Sequence, residues 1–466
     1  MTFHLGAAYY LEQWSEELCQ DEQCNLSVGD HTDCLKTGTV STEPSCFDLE
    51  HVAARLRITS AGQALCTDWD AAMETSPLQA LPFLESTFVA QAAQAVALTD
   101  DMTRELVAFA SRIASDEYVV AFFWYCHYRI LHDHTLVLSW EEQWPPLDDY
   151  LGQDAGLLNV LVMLSVVPEM RETYRRLGIP SDVVRDTVSD LRLWMETDLY
   201  YRRYRRWGIT PWIARWLCKH WQGRLLQLGR LQFSMSEFTG SLRAYRRRGE
   251  RELVAMSDAG IRYGADGNAW CNLCGNQSEA WTSILETIGD AVIGNPILPN
   301  GLAQRQTQRL TLDEWELVLG PGDNMLTFHV PAGGRLAFQD CGESFRQALA
   351  VFPRYFPEFE FRGFTTASWL MDSRLEQLLA PESNIVRMQQ ELYLCPGLQG
   401  DNQQVYQRVF GWGVTDIRSV PWKTSLQKAI GEYLNNGGHF HGGFAFLLKE
   451  DFDWGNQVYR QAVSHG

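Results

Sequence analysis

The chain has 466 residues, is 45% hydrophobic and carries 17 Trp, 17 Tyr and 22 Phe, which is enough to bury the cores of two or three domains and argues against overall disorder. A formal charge of -19 argues against general nucleic-acid binding, because phosphate repels an acidic surface. The longest apolar run, Gly156 to Val167 with Asn159 and Ser165 inside it, is too short to span a bilayer, and Met1-Thr-Phe-His-Leu lacks a positive leader, so a soluble cytoplasmic protein of bacterial style is expected.

Residues 1–50 hold ten Asp/Glu against Lys36 alone and are weakly periodic, so an acidic, partly irregular segment is expected. Five of the eleven Cys (19, 24, 34, 46 and 66) and His31 crowd this end, but their gaps are not the paired short spacings of a zinc site. Residues 51–225 read as a helical domain. Thr99-Asp-Asp-Met precedes Leu106, Phe109 and Ile113 at helical spacing. Glu117 to His132 is apolar nearly all round and reads as a central helix. Pro180-Ser181-Asp182 opens a helix that buries Val184, Val188, Leu191, Leu193 and Trp194. Pro211 takes a first-turn position ahead of Ile213, Trp216, Leu217 and Trp221. Twelve Lys/Arg fall in residues 201–250, either as a docking face for a phosphate-bearing ligand or as a solvated face paired with acids elsewhere.

Residues 226–466 turn to strands, Gly and Asn. Phe238 to Tyr245, Glu252 to Ser257 and Trp281 to Glu286 alternate as short strands. Trp270-Cys271-Asn-Leu-Cys274 has redox-pair spacing, yet loop residues flank it, so two structural thiols are the simpler reading. The densest functional signal is Met325-Leu-Thr-Phe-His-Val-Pro-Ala-Gly-Gly-Arg-Leu336. A strand (Leu326 to Val330) ends in Pro331 and Gly333-Gly334, and a helix is expected from Asp340 to Phe352 with an Asp340-x-x-Glu343 capping box. Strand, glycine turn and helix present bare N–H groups to an anion, with the helix dipole behind them. Strands at Phe359 to Leu370 and His439 to Leu448, and a helix at Thr424 to Leu434, complete an α+β chain.

Five stretches then occur in order: Leu228-Gly-Arg-Leu-Gln-Phe233, Trp315-Glu-Leu-Val-Leu319 with Gly322-Asp323, Phe328 to Leu336, Ser368-Trp-Leu-Met-Asp372, and Pro381-x-Ser-Asn-Ile385. Over roughly residues 90–445 they resemble bacterial acyltransferase-domain proteins, in which an α-helical N-terminal domain precedes a GNAT-like C-terminal domain with a mixed sheet. The resemblance implies acetyl-CoA or another acyl-CoA as donor, a small-molecule amine as acceptor, and no metal. It implies that Val330, Ala332, Gly333, Gly334 and Arg335 hold the donor, the first two facing the thioester and the rest its diphosphate. One departure is plain. The GNAT signature, Arg or Gln, two residues, Gly, one residue, then Gly or Ala, is absent here. It occurs literally only at Arg408-Val-Phe-Gly-Trp-Gly413, where no helix is expected to follow. A catalytically degenerate binding or structural module is therefore the alternative.

Acyl transfer to an amine needs a base, an oxyanion site and a proton for the leaving thiolate. His329 is the candidate base, since imidazole titrates near neutrality. Alternation puts it on the opposite face from Phe328 and Val330, where it could instead pack under the sheet. Ser368 could donate to the thiolate and Asp372 orient the amine, with helix capping by Asp372 or Ser373 as the simpler reading. Arg335 could meet a phosphate oxygen. His439 and His441 share a face, but no third metal ligand is evident. No Gly-x-Ser-x-Gly elbow, Walker loop or His-Glu-x-x-His is present.

Overall fold

The computed structural model describes residues 48–58, 68–77, 81–132, 144–270, 279–397, 402–411 and 414–461. The segment 1–47, with His31 and its four Cys, and the Cys271/Cys274 pair lie outside these residues, as does Cys66. The chain divides into two compact units, Met1–Leu226 and Gln227–Gly466.

The first unit is built of helices. Asp100–Ile113 starts where Thr99 accepts a hydrogen bond from the Met102 N–H (3.3 Å), and Asp100 and Asp101 sit at the positive end of its dipole. It buries Met102, Leu106, Phe109, Ala110 and Ile113, the face expected from their spacing. Pro211–Trp221 starts on Thr210 with Pro211 in its first turn. Ala155–Ser165 is buried on every residue, and a helix with no polar face must be surrounded. Ser86–Ala95, Asp100–Ile113, Glu117–His132 and Pro211–Trp221 all pack on it. Its polar atoms are matched. Asn159 donates to the Ile209 carbonyl (2.8 Å) and accepts from the Trp144 indole (2.9 Å), and Ser165 donates to the Val162 carbonyl (2.7 Å). Among the described residues no single helix is long and apolar enough to cross a membrane; only the bent pair Asp148–Ser165 and Val167–Leu177 passes, by length and composition alone.

The helix expected from Ser181 through Trp194 is two helices, Ser181–Val188 and Asp190–Thr197. Asp190 turns inward at the break and lies 3.1 Å from the buried His220 ring, accepting from the Trp194 and Trp216 indoles. Burial opposes its charge, yet His220 and the indoles hold its pKa below the usual carboxylate range. The basic block is paired in both units. Arg206 meets Glu105 and Asp154; Arg246 meets Asp451; Arg248 meets Glu316.

The second unit centres on a six-stranded sheet in the order Leu225–Leu228, Leu231–Glu237, Asn324–His329, Gly363–Ser368, Gly443–Leu448, Tyr393–Pro396. The helix Phe338–Tyr355 covers one face and drives Phe345 between Phe233, Phe328 and Phe364, with ring centroids 4.8 to 5.6 Å away. A five-stranded sheet (Leu302–Ala303, Pro296–Leu298, Leu253–Ser257, Leu242–Arg247, Trp315–Leu319) lies beside it, tied by the Tyr393 hydroxyl between Ile297 and Ala255.

Several expected elements are shorter or shifted. The strand expected from Phe359 is Gly363–Ser368, because Ser368 Oγ accepts from the Leu370 N–H (3.2 Å) and turns the chain into a 3₁₀ turn, Trp369–Met371. The strand expected from His439 is Gly443–Leu448. The long helix starts at Phe338 rather than Asp340, with Ala337 as its cap and no side-chain cap bond, and Glu343 pairs with Arg346 instead of closing a capping box. A capping box does form at Thr424 and Gln427.

His127 makes acid sensitivity testable. It is buried, 2.7 Å from Ser165 Oγ and packed on Phe83 and Trp124. Burial, then the nearby His132 charge, lowers its pKa from 6.5 to about 4. Protonation therefore favours the unfolded chain, so the stability present above pH 6.5 is lost as pH falls towards 4, by up to about 3 kcal/mol. Urea midpoints at pH 7 and 4.5 should fall steeply for the wild type and less for His127→Gln; equal slopes would remove His127 as a cause.

Candidate functional site

The backbone groups of Asn324 face the strand Gly363–Ser368, since the Asn324 carbonyl accepts from the Arg362 N–H (2.8 Å). Alternation turns Leu326, Phe328 and Val330 the same way. The parallel register between the two strands runs only through Leu326↔Phe364 and Thr327↔Thr365. Each strand nevertheless stays paired on its outer side to its end, at His329↔Gln232 and at Ser368↔Gly443. The two middle strands therefore fork after Thr327 and Thr365. The Val330 N–H faces the opening and, among the described residues, donates to no acceptor.

The chain beyond continues the pattern. Gly333 (φ 81°) and Gly334 (φ 66°) take left-handed backbone, which glycine adopts without a Cβ clash. Ala332, Gly333, Gly334 and Arg335 are exposed. Among the described residues the N–H groups of Ala332, Gly333, Gly334, Arg335 and Leu336 also lack an internal acceptor. The loop then enters the helix at Phe338. Gly334 thus lies nearer the helix start than an Asp340 cap implies. One open strand arm, a run of unpaired amides and a helix N-terminus follow in sequence, as an anion site requires.

His329 lies on the sheet face opposite Phe328, half-buried, with Nε2 3.4 Å from Ser234 Oγ. Ser236 and Thr327 extend this polar stripe, their hydroxyls 2.7 Å apart. Ser368 ends the other arm of the fork, half-buried, its Oγ engaged by Leu370 as an acceptor and still able to donate. The fork therefore carries His329 and Val330 on one arm and Ser368 on the other.

Asp372 does not join them. It is 1% exposed, and its oxygens accept from the N–H groups of Arg374 (2.9 Å), His441 (2.7 Å) and Gly442 (3.0 Å). Burial pushes its pKa up, while Arg374 and the three N–H groups pull it down. Its carboxylate fixes the turn that enters the strand Gly443–Leu448 and is closed to an amine. Next to it, burial, then Arg374 and His439, lower His441 to a pKa of about 4. Among the described residues no three His, Cys, Asp or Glu are grouped to hold a metal. Sequence reasoning missed Ser234 and the part played by Arg230, whose guanidinium donates to the loop's carbonyls.

Asp372→Ala should destabilise the protein by about 3 kcal/mol, because one buried and two half-buried N–H groups lose their acceptor. Chemical denaturation measures this. An unchanged midpoint with lost turnover would instead give Asp372 a catalytic role.

The sequence matches the model of the N-acyltransferase N-terminal domain over residues 87–223 and that of the GNAT-like C-terminal domain over residues 225–447. No curated protein sequence matches it. Among solved structures, an acyltransferase in complex with decanoyl-CoA and teicoplanin is similar at TM-score 0.60 and 21% identity, covering 86% of this chain and 98% of that one. An acyltransferase mutant in complex with octanoyl-CoA is similar at 0.59 and 21%, with the same coverage of 86% and 98%. An acyltransferase in complex with CoA and 10C-teicoplanin is similar at 0.60 and 20%, again over 86% and 98%. Fold and domain matches agree, and this chain belongs to the acyltransferase family that joins an N-acyltransferase N-terminal domain to a GNAT-like C-terminal domain.

Proposed function

We propose that the protein is an acyl-CoA-dependent N-acyltransferase that moves an acyl group from the CoA thioester to an amine. One observation carries this reading: the strand fork with its unpartnered amide at Val330, followed by those of Ala332 to Leu336. Decanoyl-CoA and octanoyl-CoA in two similar structures, and CoA in a third, support the donor class. Teicoplanin with decanoyl-CoA in one of them, and 10C-teicoplanin with CoA in another, support a glycopeptide-type amine as acceptor. The acyl-CoA supply would place the reaction in the cytoplasm.

The amine nitrogen attacks the thioester carbon, the C–N bond forms and the C–S bond breaks. As charge builds on the carbonyl oxygen, the Val330 N–H stabilises it. The N–H groups of Ala332, Gly333, Gly334 and Arg335 hold the diphosphate, with the exposed Arg335 guanidinium as an additional partner. His329, beside Ser234, takes the proton from the attacking amine. Ser368 supplies a hydrogen bond to the leaving thiolate, which ends as the free thiol when the proton taken up by His329 is passed back to it through solvent. The absent Arg/Gln signature favours the rival reading, a fold that has kept its shape and lost its donor.

Calorimetric titration with decanoyl-CoA separates the two. Saturation to one hundred times Kd should stabilise the protein by about 2.7 kcal/mol, and no shift at millimolar donor would remove the enzymatic reading. Gly334→Val forces a β-branched residue into left-handed backbone and should weaken decanoyl-CoA binding about tenfold or more. With teicoplanin as acceptor, His329→Gln should slow thiol release about 10²- to 10⁴-fold and remove the acid limb of the pH profile. An unchanged limb would exclude His329 as the base.

A further inference from the structure

The stretch Leu228-Gly-Arg-Leu-Gln-Phe233 stands far from the glycine loop in sequence, and neither the sheet nor the proposed chemistry accounts for its arginine. Its first half is a tight turn between two strands. Gly229 takes φ 62°, and a Cβ there would meet Ser344 Oγ at 3.0 Å. That hydroxyl accepts from the N–H groups of Arg230 (2.9 Å) and Leu231 (3.3 Å) and donates to the Asp340 carbonyl (2.8 Å). The turn is thereby bolted to the first turns of the helix Phe338–Tyr355.

From this anchored position Arg230 reaches the loop that precedes the same helix. Its Nε donates to the Arg335 carbonyl and its Nη1 to the Pro331 carbonyl, both at 3.0 Å. A peptide group is planar and trans, so its C=O and N–H point in opposite directions. Drawing the Pro331 carbonyl inward turns the Ala332 N–H outward. Drawing the Arg335 carbonyl inward does the same for Leu336. The planar guanidinium holds both ends of the loop in one geometry, which a lysine cannot do.

We propose that Arg230 is a positioning residue for the donor's diphosphate: it touches no reacting atom, but it aims the loop amides at the phosphates. This rests on the acyl-CoA reading above and adds the Leu336 N–H to the donor set. The guanidinium also places a fixed positive charge behind the loop, in line with the helix dipole.

The test compares decanoyl-CoA with decanoyl-pantetheine, which carries the same thioester and no diphosphate. The wild type must first bind decanoyl-CoA; if it does not, the acyl-CoA reading itself fails and Arg230 has no diphosphate to serve. Given that binding, Arg230→Ala and Arg230→Lys should each raise the Kd for decanoyl-CoA about tenfold or more and leave that for decanoyl-pantetheine within about twofold. Lysine keeps the charge, so a loss in Arg230→Lys isolates the fork geometry and serves if the alanine variant does not fold. Equal weakening of both ligands would mean a merely structural arginine and overturn the proposal. So would unchanged binding of both.

Discussion

The unit that holds the site is organised by a local failure of hydrogen bonding. Two parallel strands in the middle of a sheet stop sharing a ladder after Thr327 and Thr365. Backbone amides away from water must find partners. The fork survives because each arm stays paired on its outer side, at His329↔Gln232 and Ser368↔Gly443. The closed end is wedged by Phe345 against Phe233, Phe328 and Phe364. Rigid flanks and an aromatic hinge point make the opening a preformed feature of the fold. Stabilising charge in a transition state is most effective when the dipoles need no reorganisation.

The two arms are fixed by different chemistry. The Val330 arm runs into a loop held through carbonyls, which leaves N–H groups outward. The Ser368 arm is fixed through N–H groups, which Asp372 gathers from Arg374, His441 and Gly442. Gly443 completes that arrangement: a Cβ there would lie 2.0 Å from the Met371 carbonyl, so only glycine lets the returning strand pass. A cation on one side and a carboxylate on the other therefore set the width of one opening. Asp372 is buried and Arg230 half-buried, and each is held in place by several partners rather than one.

Features that depend on near neighbours in sequence were legible without the structure. The Thr99 cap, the first-turn Pro211 and the strand, glycine and helix around Gly333-Gly334 each rest on residues within a turn or two. Asp340-x-x-Glu343 misled because spacing alone cannot show that Glu343 has a better partner in Arg346. The helix expected through Ser189 misled for a long-range reason, since Asp190 is drawn in by His220 and Trp216 of another helix. Asp372 finds its N–H partners 69 and 70 residues away, and Arg230 its carbonyls 101 and 105 residues away. No periodicity reports such contacts. The fork has no local signal, because a strand that loses its partner reads the same as one that keeps it.

The missing Arg/Gln signature can be weighed on the same terms. A signature is one sequence solution to a backbone requirement: several amides in succession, pointing one way, ahead of a helix. In its compact form the signature opens a helix directly. Here the helix starts at Phe338, and the turn is made earlier by Pro331 and the left-handed pair Gly333-Gly334. The longer loop would be floppy alone, and disorder would scatter its amides. Two carbonyls anchored to one guanidinium remove that freedom at its ends, while Ser344 ties the guanidinium's own backbone to the helix that follows. The requirement is met by a remote arginine rather than by one inside the loop.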